Sequence, residues 1–181
     1  MYTGKITIKK TDETDLKNIL GLWNNGEVMF FVGYPDGLGC SMEDMRKWYN
    51  TISSGKSFRH YSIYTDDLGY CGETGYALEE NEFFWNGNCG IDIKLMPMAQ
   101  GKGIAEYAIR KIIDEMLLEK VKYVSIWVDP NEKNSSAIKL YVKLGFKKND
   151  FPKNLRDIGE DNGERDYMEL KLSEYISIDK K

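Results

Sequence analysis

The stretch that most restricts the fold is residues 88–117, NCGIDIKLMPMAQGKGIAEYAIRKIIDEML. Asn88–Leu95 is apolar and β-branched, which predicts a strand. Pro97 and a Gln-Gly-Lys-Gly turn interrupt it. Ala105, Ala108, Ile109, Ile112, Ile113, Met116 and Leu117 then recur at i, i+3, i+4 spacing, the apolar stripe of a core-facing helix. Lys122–Val128 follows as another strand, so this half of the chain carries a strand–helix–strand crossover.

Upstream, the pattern is that of an antiparallel meander. Ile6–Lys9 predicts a short strand. Thr11 or Asp12 can cap a helix whose apolar face is Leu16, Ile19, Leu20 and Trp23. Tyr34-Pro35-Asp36-Gly37 is a turn signal. Ser41-Met42-Glu43-Asp44 reads as a capping box for a helix through Met45, Trp48 and Ile52. Arg59–Tyr64 and Tyr70–Leu78 alternate as strands around an Asp66-Asp67-Leu68-Gly69 turn. Downstream, Asn134–Leu144 predicts a helix stopped by Gly145, and Tyr167–Leu172 a final strand. Asp157–Asp166 reads as a hairpin loop without chemistry. The expectation is a mixed α/β (α+β) fold in one domain over residues 1–181.

Composition narrows the function. The chain has 181 residues, 41% hydrophobic and 30% charged, enough for a real core. A net charge of −4 argues against nucleic acid as partner and suits a cationic small molecule. Cys40, Cys71 and Cys89 are odd in number and lack Cys-x-x-Cys spacing, so free thiols in a reducing cytoplasm are expected. The single histidine, His60, cannot anchor a His-rich metal site and reads as structural; no metal is expected. Met1–Ile6 has neither a charged n-region nor an apolar h-region, and no apolar run approaches the ~18 residues of a membrane span.

Three phosphate-binding loops compete for residues 99–105, beside a plain turn. A nucleoside-triphosphate loop needs Ser or Thr after the lysine, and Gly103 follows Lys102. A dinucleotide loop needs a third glycine where Glu106 stands, although Asp129 imitates its ribose-binding acid. The third pattern is Gln/Arg-x-x-Gly-x-Gly/Ala, met by Gln100, Gly101, Lys102, Gly103, Ile104 and Ala105, with Pro97 three residues before the glutamine. Small residues let successive backbone N–H groups close on a pyrophosphate at a helix N-terminus.

That loop resembles the pyrophosphate loop of the GNAT family of N-acetyltransferases. A second motif, Asn134-x-x-Ala137-x-x-Leu140-Tyr141-x-x-x-Gly145-Phe146, is similar to the family's and lies after the next strand. The close resemblance covers residues 88–147. It implies a central, mostly antiparallel sheet of about six to seven strands, splayed in the middle and flanked by about four helices. It implies acetyl-CoA as cosubstrate. By motif register, Ile93, Lys94 and Leu95 would act through main chain on the pantetheine and the acetyl carbonyl. Tyr141 would be the acid toward the departing thiolate, and Asn134 would contact the coenzyme, with Asn131 as a rival.

The reaction also needs something to take the amine's proton, since an alkylamine such as lysine has a pKa near 10.4. Asp92 lies on the strand face opposite Ile91 and Ile93. If the isoleucine face is core, Asp92 points to the cleft. Glu73 on the preceding strand competes with it, and Asp129 is a third candidate. Gly90-Ile91-Asp92 with Val128-Asp129-Pro130 is similar to aminoglycoside 6′-N-acetyltransferases, which implies Asp92 at the acceptor amine. Glu79, Glu80, Glu82, Phe83, Phe84 and Trp85 would rim an amine site. An aminoglycoside- or polyamine-like acceptor, acting with a monomer or homodimer, is therefore expected. A ribosomal or other protein N-terminus, suggested by the helix–loop–helix layout of residues 12–54, and a non-catalytic acetyl-CoA sensor stay open.

Overall fold

A computed structural model describes residues 2–119, 122–157 and 163–175. Its strands are β1 (Ile6–Lys10), β2 (Phe58–Thr65), β3 (Gly69–Ala77), β4 (Phe84–Trp85), β5 (Asn88–Leu95), β6 (Ser125–Val128), β7 (Lys147–Lys148) and β8 (Met168–Lys171). Its α-helices are α1 (Leu16–Trp23), α2 (Gly26–Met29), α3 (Met42–Ser53), α4 (Ile104–Met116), α5 (Ser135–Leu144) and α6 (Lys153–Asp157). The sheet runs β1-β2-β3-β5-β6-β8-β7, with β4 also paired to β5. β5 and β6 are parallel; the other pairs are antiparallel.

The expected mixed sheet is present, with two very short strands and two short helices beyond the expected tally. β4 forms because Asn86 (φ +49°) and Gly87 (φ +83°) both take left-handed backbone, the geometry of a tight two-residue hairpin. That turn sets Trp85 opposite Asn88. β7 is the two residues after Phe146 that reach β8. The cap at the first helix resolves to Asp12, whose side chain accepts from the Thr14 N–H while Asp15 reciprocates. Thr11 turns inward instead, to His60 and Ser62. The Ser41–Asp44 capping box opens α3 as the sequence predicts. The loop expected over Asp157–Asp166 falls in part outside the described residues.

Each sheet face has its own helical cover. α4 buries Ile104, Ala108, Ile109, Ile112, Ile113 and Met116, and α5 adds Tyr141 and Leu144. Ile109, Ile112, Ile113 and Met116 cluster with Tyr141, Leu144 and Tyr76, Ile91, Ile126, Val128, Met168 and Leu170 of the sheet, while Ile104 and Ala108 cluster with Ile63, Cys71 and Leu95. Burial of each large side chain stabilises by roughly 2 kcal/mol, so α4 is held mainly by this stripe. On the opposite face, Leu16 and Ile19 of α1 meet Met45 of α3, with Trp23, Trp48 and Tyr70 at the margin. A third cluster, Trp127, Phe151, Leu155 and Tyr167, packs with Phe83 and Trp85. The three cysteines are free thiols. Among the described residues, no helix is long and apolar enough to cross a membrane.

Candidate active site

The site begins where two parallel strands part. β6 pairs with β5 only through Asn88, Cys89 and Gly90. From Ile91 to Leu95, β5 stays paired to β3, but its other edge meets no strand among the described residues. The direction of its peptide groups follows from two bonds. The Met96 N–H donates to Cys71 O at 2.8 Å, and the Thr74 hydroxyl donates to Asp92 O at 2.7 Å. Even-numbered residues therefore turn their main chain to β3, and Ile91, Ile93 and Leu95 turn theirs to the gap. Of the three residues expected to act through main chain, Ile93 and Leu95 face the gap, and Lys94 faces β3.

The glycine turn closes one end of this gap. Gln100 donates its side-chain amide to Leu95 O at 3.1 Å, fastening the turn to the end of β5. Gly101 (φ +70°) and Gly103 (φ +85°) hold left-handed backbone, which reverses the chain tightly into α4. The first-turn amides of Ile104, Ala105 and Glu106 precede the first helical bond, Tyr107 N–H to Gly103 O at 3.2 Å. These N–H groups form a cradle for an anion at the positive end of a 13-residue helix. Ile104 is fully buried and anchors the turn, while Lys102 is exposed with its carbonyl bound by the Tyr2 N–H at 2.8 Å. The Glu106 carboxylate is turned aside by Lys143 at 2.5 Å and Arg110 at 3.6 Å, which also pull its pKa down.

On the face away from α4, a polar stripe crosses three strands. Thr11 Oγ1 lies 2.7 Å from His60 Nδ1, and His60 Nε2 stands 3.3 Å from Glu73 Oε2. Glu73 Oε1 accepts from the Trp23 indole at 2.7 Å and from Lys94 Nζ at 3.3 Å. Lys94 Nζ reaches on to Asp92 Oδ2 at 2.5 Å. Glu73 is 1% exposed. Burial alone would raise its pKa, but Lys94 and His60 outweigh it, and the carboxyl is held below its ordinary range. For Lys94 burial works downward, and Asp92 with Glu73 carries the ammonium above its ordinary value instead. Of the candidate bases in this stripe, Glu73 is buried with its Oε1 on the Trp23 indole, whereas the Asp92 side chain is 45% exposed.

The second motif lies across the gap. Tyr141 is 7% exposed and packs on Phe146 with ring centroids 5.4 Å apart. Burial pushes its hydroxyl pKa up, and the Asp92 and Asp129 carboxylates push it further. It is a neutral phenol, within electrostatic reach of the candidate base. Asn134 caps α5, accepting from the Ala137 N–H at 3.1 Å. Asn131 builds the preceding turn, its carbonyl accepting the Asn134 N–H at 2.9 Å while it bridges to Arg165. Asp129 is ion-paired with Arg165.

Comparison with known proteins identifies the architecture. The model of an acetyltransferase (GNAT) domain matches residues 5–147. The chain belongs to the GNAT acetyltransferase family. Acetyl-CoA is the family's cosubstrate, and the splayed strands with the glycine cradle fit it. No curated protein matches the sequence of this acetyltransferase. Among solved structures, it resembles a spermidine N-acetyltransferase from Vibrio cholerae in complex with CoA and spermine. That match has TM-score 0.74 and 21% identity over 94% of this chain and 97% of that one. A domain from Methanocaldococcus jannaschii gives 0.72 and 18%, covering 94% and 100%. The aminoglycoside acetyltransferase AAC(6′)-Ib in complex with coenzyme A gives 0.70 and 20%, covering 93% and 96%.

Two features of the acetyltransferase site escaped sequence reasoning. One is the Lys94 side chain, expected only to lend its main chain, which joins Asp92 to Glu73. Cross-strand register alone makes that pair, with Glu73 opposite Lys94. The other is His60, whose place in the stripe depends on β2 pairing with β3. The expected aromatic rim divides. Phe83 and Trp85 lean on Trp127 at 5.9 and 5.4 Å, and Phe84 on Tyr123 at 5.9 Å, while Glu79, Glu80 and Glu82 are exposed.

Proposed function

We propose that this acetyltransferase moves the acetyl group of acetyl-CoA to a primary amine of a small cationic acceptor, polyamine- or aminoglycoside-like, by direct attack through a tetrahedral intermediate. The observation that carries this is the Asp92 carboxylate, its side chain half exposed on the polar face beside the edge of β5 that meets no strand among the described residues. Among the described residues, the Glu73 and Asp92 carboxylates share the one Lys94 ammonium, which favours a cation at the exposed Asp92. Asp92 receives the ammonium and takes its proton. The Ile93 N–H, turned to the gap, is the donor for the developing oxyanion. Tyr141 supplies a proton or hydrogen bond to the thiolate. The stated ligands of the structural neighbours, spermine and coenzyme A, agree with this class.

The test is thiol release from acetyl-CoA with a panel of spermidine, spermine, ribostamycin and ribosomal N-terminal peptides. Small amines should turn over and peptides should not; the opposite order would transfer the reading to protein acetylation. Asp92→Asn should cut turnover at saturating acetyl-CoA by about 100-fold or more while coenzyme binding survives. Unchanged turnover would remove Asp92 from the chemistry. The three free thiols support a cytoplasmic location.

A further inference from the structure

A lysine on a strand beside an open cleft ordinarily extends its ammonium into water. Lys94 does not. Its side chain is 16% exposed, and Nζ lies between Asp92 Oδ2 at 2.5 Å and Glu73 Oε1 at 3.3 Å. Glu73 is immobilised in turn, with the Trp23 indole on Oε1 and His60 Nε2 near Oε2. The chain of contacts therefore runs from a fixed interior anion, through one cation, to a single oxygen of a half-exposed carboxylate. That leaves Asp92 Oδ1 enclosed and unpartnered.

We propose that Lys94 is the positioning residue for Asp92, its ammonium anchored on buried Glu73 so that the half-exposed Asp92 carboxylate is held in place for the acceptor's ammonium. This rests on the amine-acetyltransferase reading above and gives Glu73 a role as anchor, not base. The assignment follows from geometry. Glu73 Oε1 accepts from the Trp23 indole and lies against Lys94 Nζ, Oε2 is enclosed 3.3 Å from His60 Nε2, and the residue is 1% exposed. Asp92 has Oδ2 on the same ammonium, and its side chain stays 45% exposed. Without the cation, the Glu73 and Asp92 carboxylates, diagonal neighbours on adjacent strands, would repel, and Asp92 would swing away from the gap. The charged and titratable groups that act on Lys94 or feel it are Glu73 from β3, Asp92 from β5 and Tyr141 from α5, while His60 from β2 and Tyr70 from β3 face Glu73.

Lys94→Met keeps a chain of similar length and removes the charge. With spermidine and ribostamycin as probe amines, kcat/KM for the amine should fall about 100-fold, the penalty of a reacting group misplaced by about 1 Å. KM for the amine should rise, and KM for acetyl-CoA should stay within about 2-fold, because Ile93 and Leu95 keep their main chain. Lys94→Arg should recover to within about 10-fold of the wild type, since charge is retained. Should Lys94→Met fold poorly, Glu73→Gln/Lys94→Met removes the stranded anion and should melt higher while keeping the same kinetic defect. A readout free of acceptor is the ¹³C carboxyl signal of Glu73, which should titrate at higher pH in Lys94→Met. An unchanged amine kcat/KM in Lys94→Met overturns the positioning role alone. So does a loss confined to kcat with both KM values and the Glu73 signal unmoved. Turnover of neither amine by the wild type overturns the acceptor assignment, and this role with it.

Discussion

Removing only the hydroxyl of Tyr141 separates chemistry from packing. The ring is buried against Phe146 and beside Leu144 and Ile138, and Tyr141→Phe leaves all of that in place. The influences on the hydroxyl are burial and nearby charges, with no hydrogen bond to the protein among them. Its loss should thus change stability by no more than about 1 kcal/mol. The catalytic loss follows from acidity. Burial, Asp92 and Asp129 hold the phenol above its ordinary value of 10.0, so it is protonated throughout the working range. A thiol titrates near 8.5, so full transfer to the thiolate runs uphill by more than about 1.5 units, or about 2 kcal/mol. The phenol then acts chiefly by hydrogen-bonding the sulfur as charge develops. That places the effect at the low end of acid catalysis, about 100-fold in kcat. The assay is thiol release at saturating amine and acetyl-CoA, with the melting temperature followed in parallel. The wild-type profile should show no loss of rate from Tyr141 ionisation between about pH 7 and 10. Undiminished kcat in Tyr141→Phe, or a fall matched by lost melting temperature, refutes the reasoning.

Three further predictions address the cradle, the cap and the buried carboxylate. Gly101→Ala has open space around its new methyl but a left-handed backbone, so strain of about 1 kcal/mol should weaken acetyl-CoA binding about 5-fold by calorimetry. Asn134→Ala loses the cap and about 1 kcal/mol, whereas Asn134→Ser keeps an acceptor oxygen. If Asn134 also touches the coenzyme, Asn134→Ser should melt near the wild type yet show a raised KM for acetyl-CoA. Glu73 has a folded pKa below its ordinary 4.5, so its stabilising contribution is present above that value and lost as pH falls toward the folded one. The melting temperature should therefore drop steeply below about pH 4.5 in the wild type and less steeply in Glu73→Gln.

Local signals in this chain are strong, and local features were accordingly legible. The Ser41–Asp44 capping box, the Gly145 stop (φ +100°) and the apolar stripe of α4 each rest on residues within one or two turns of one another. β4 carried a signal of the same kind, Asn86-Gly87, but two residues of strand are too short to alternate. The geometry of the proposed coenzyme cradle was legible for the same reason: turn, helix and cap are contiguous motifs. The acceptor half was not. Its members sit on β2, β3, β5 and α1, and only pairing register brings His60, Glu73, Lys94 and Trp23 together.

That division has a physical cause. Binding a pyrophosphate needs backbone N–H groups, and glycine spacing in the sequence specifies where backbone is free to approach. Binding an amine needs side-chain charge, and a carboxylate near a cleft can be base, anchor or ion-pair partner according to its neighbours. Here the neighbours decide between Asp92 and Glu73. Both carboxylates contact the same ammonium, but Glu73 is buried with its Oε1 on the Trp23 indole and Asp92 is half exposed. The buried member gains rigidity and loses access, and the exposed member gains access and borrows rigidity through Lys94. A carboxylate held in this way keeps its orientation before the substrate arrives, so less of the binding energy of a small amine is spent on ordering the site.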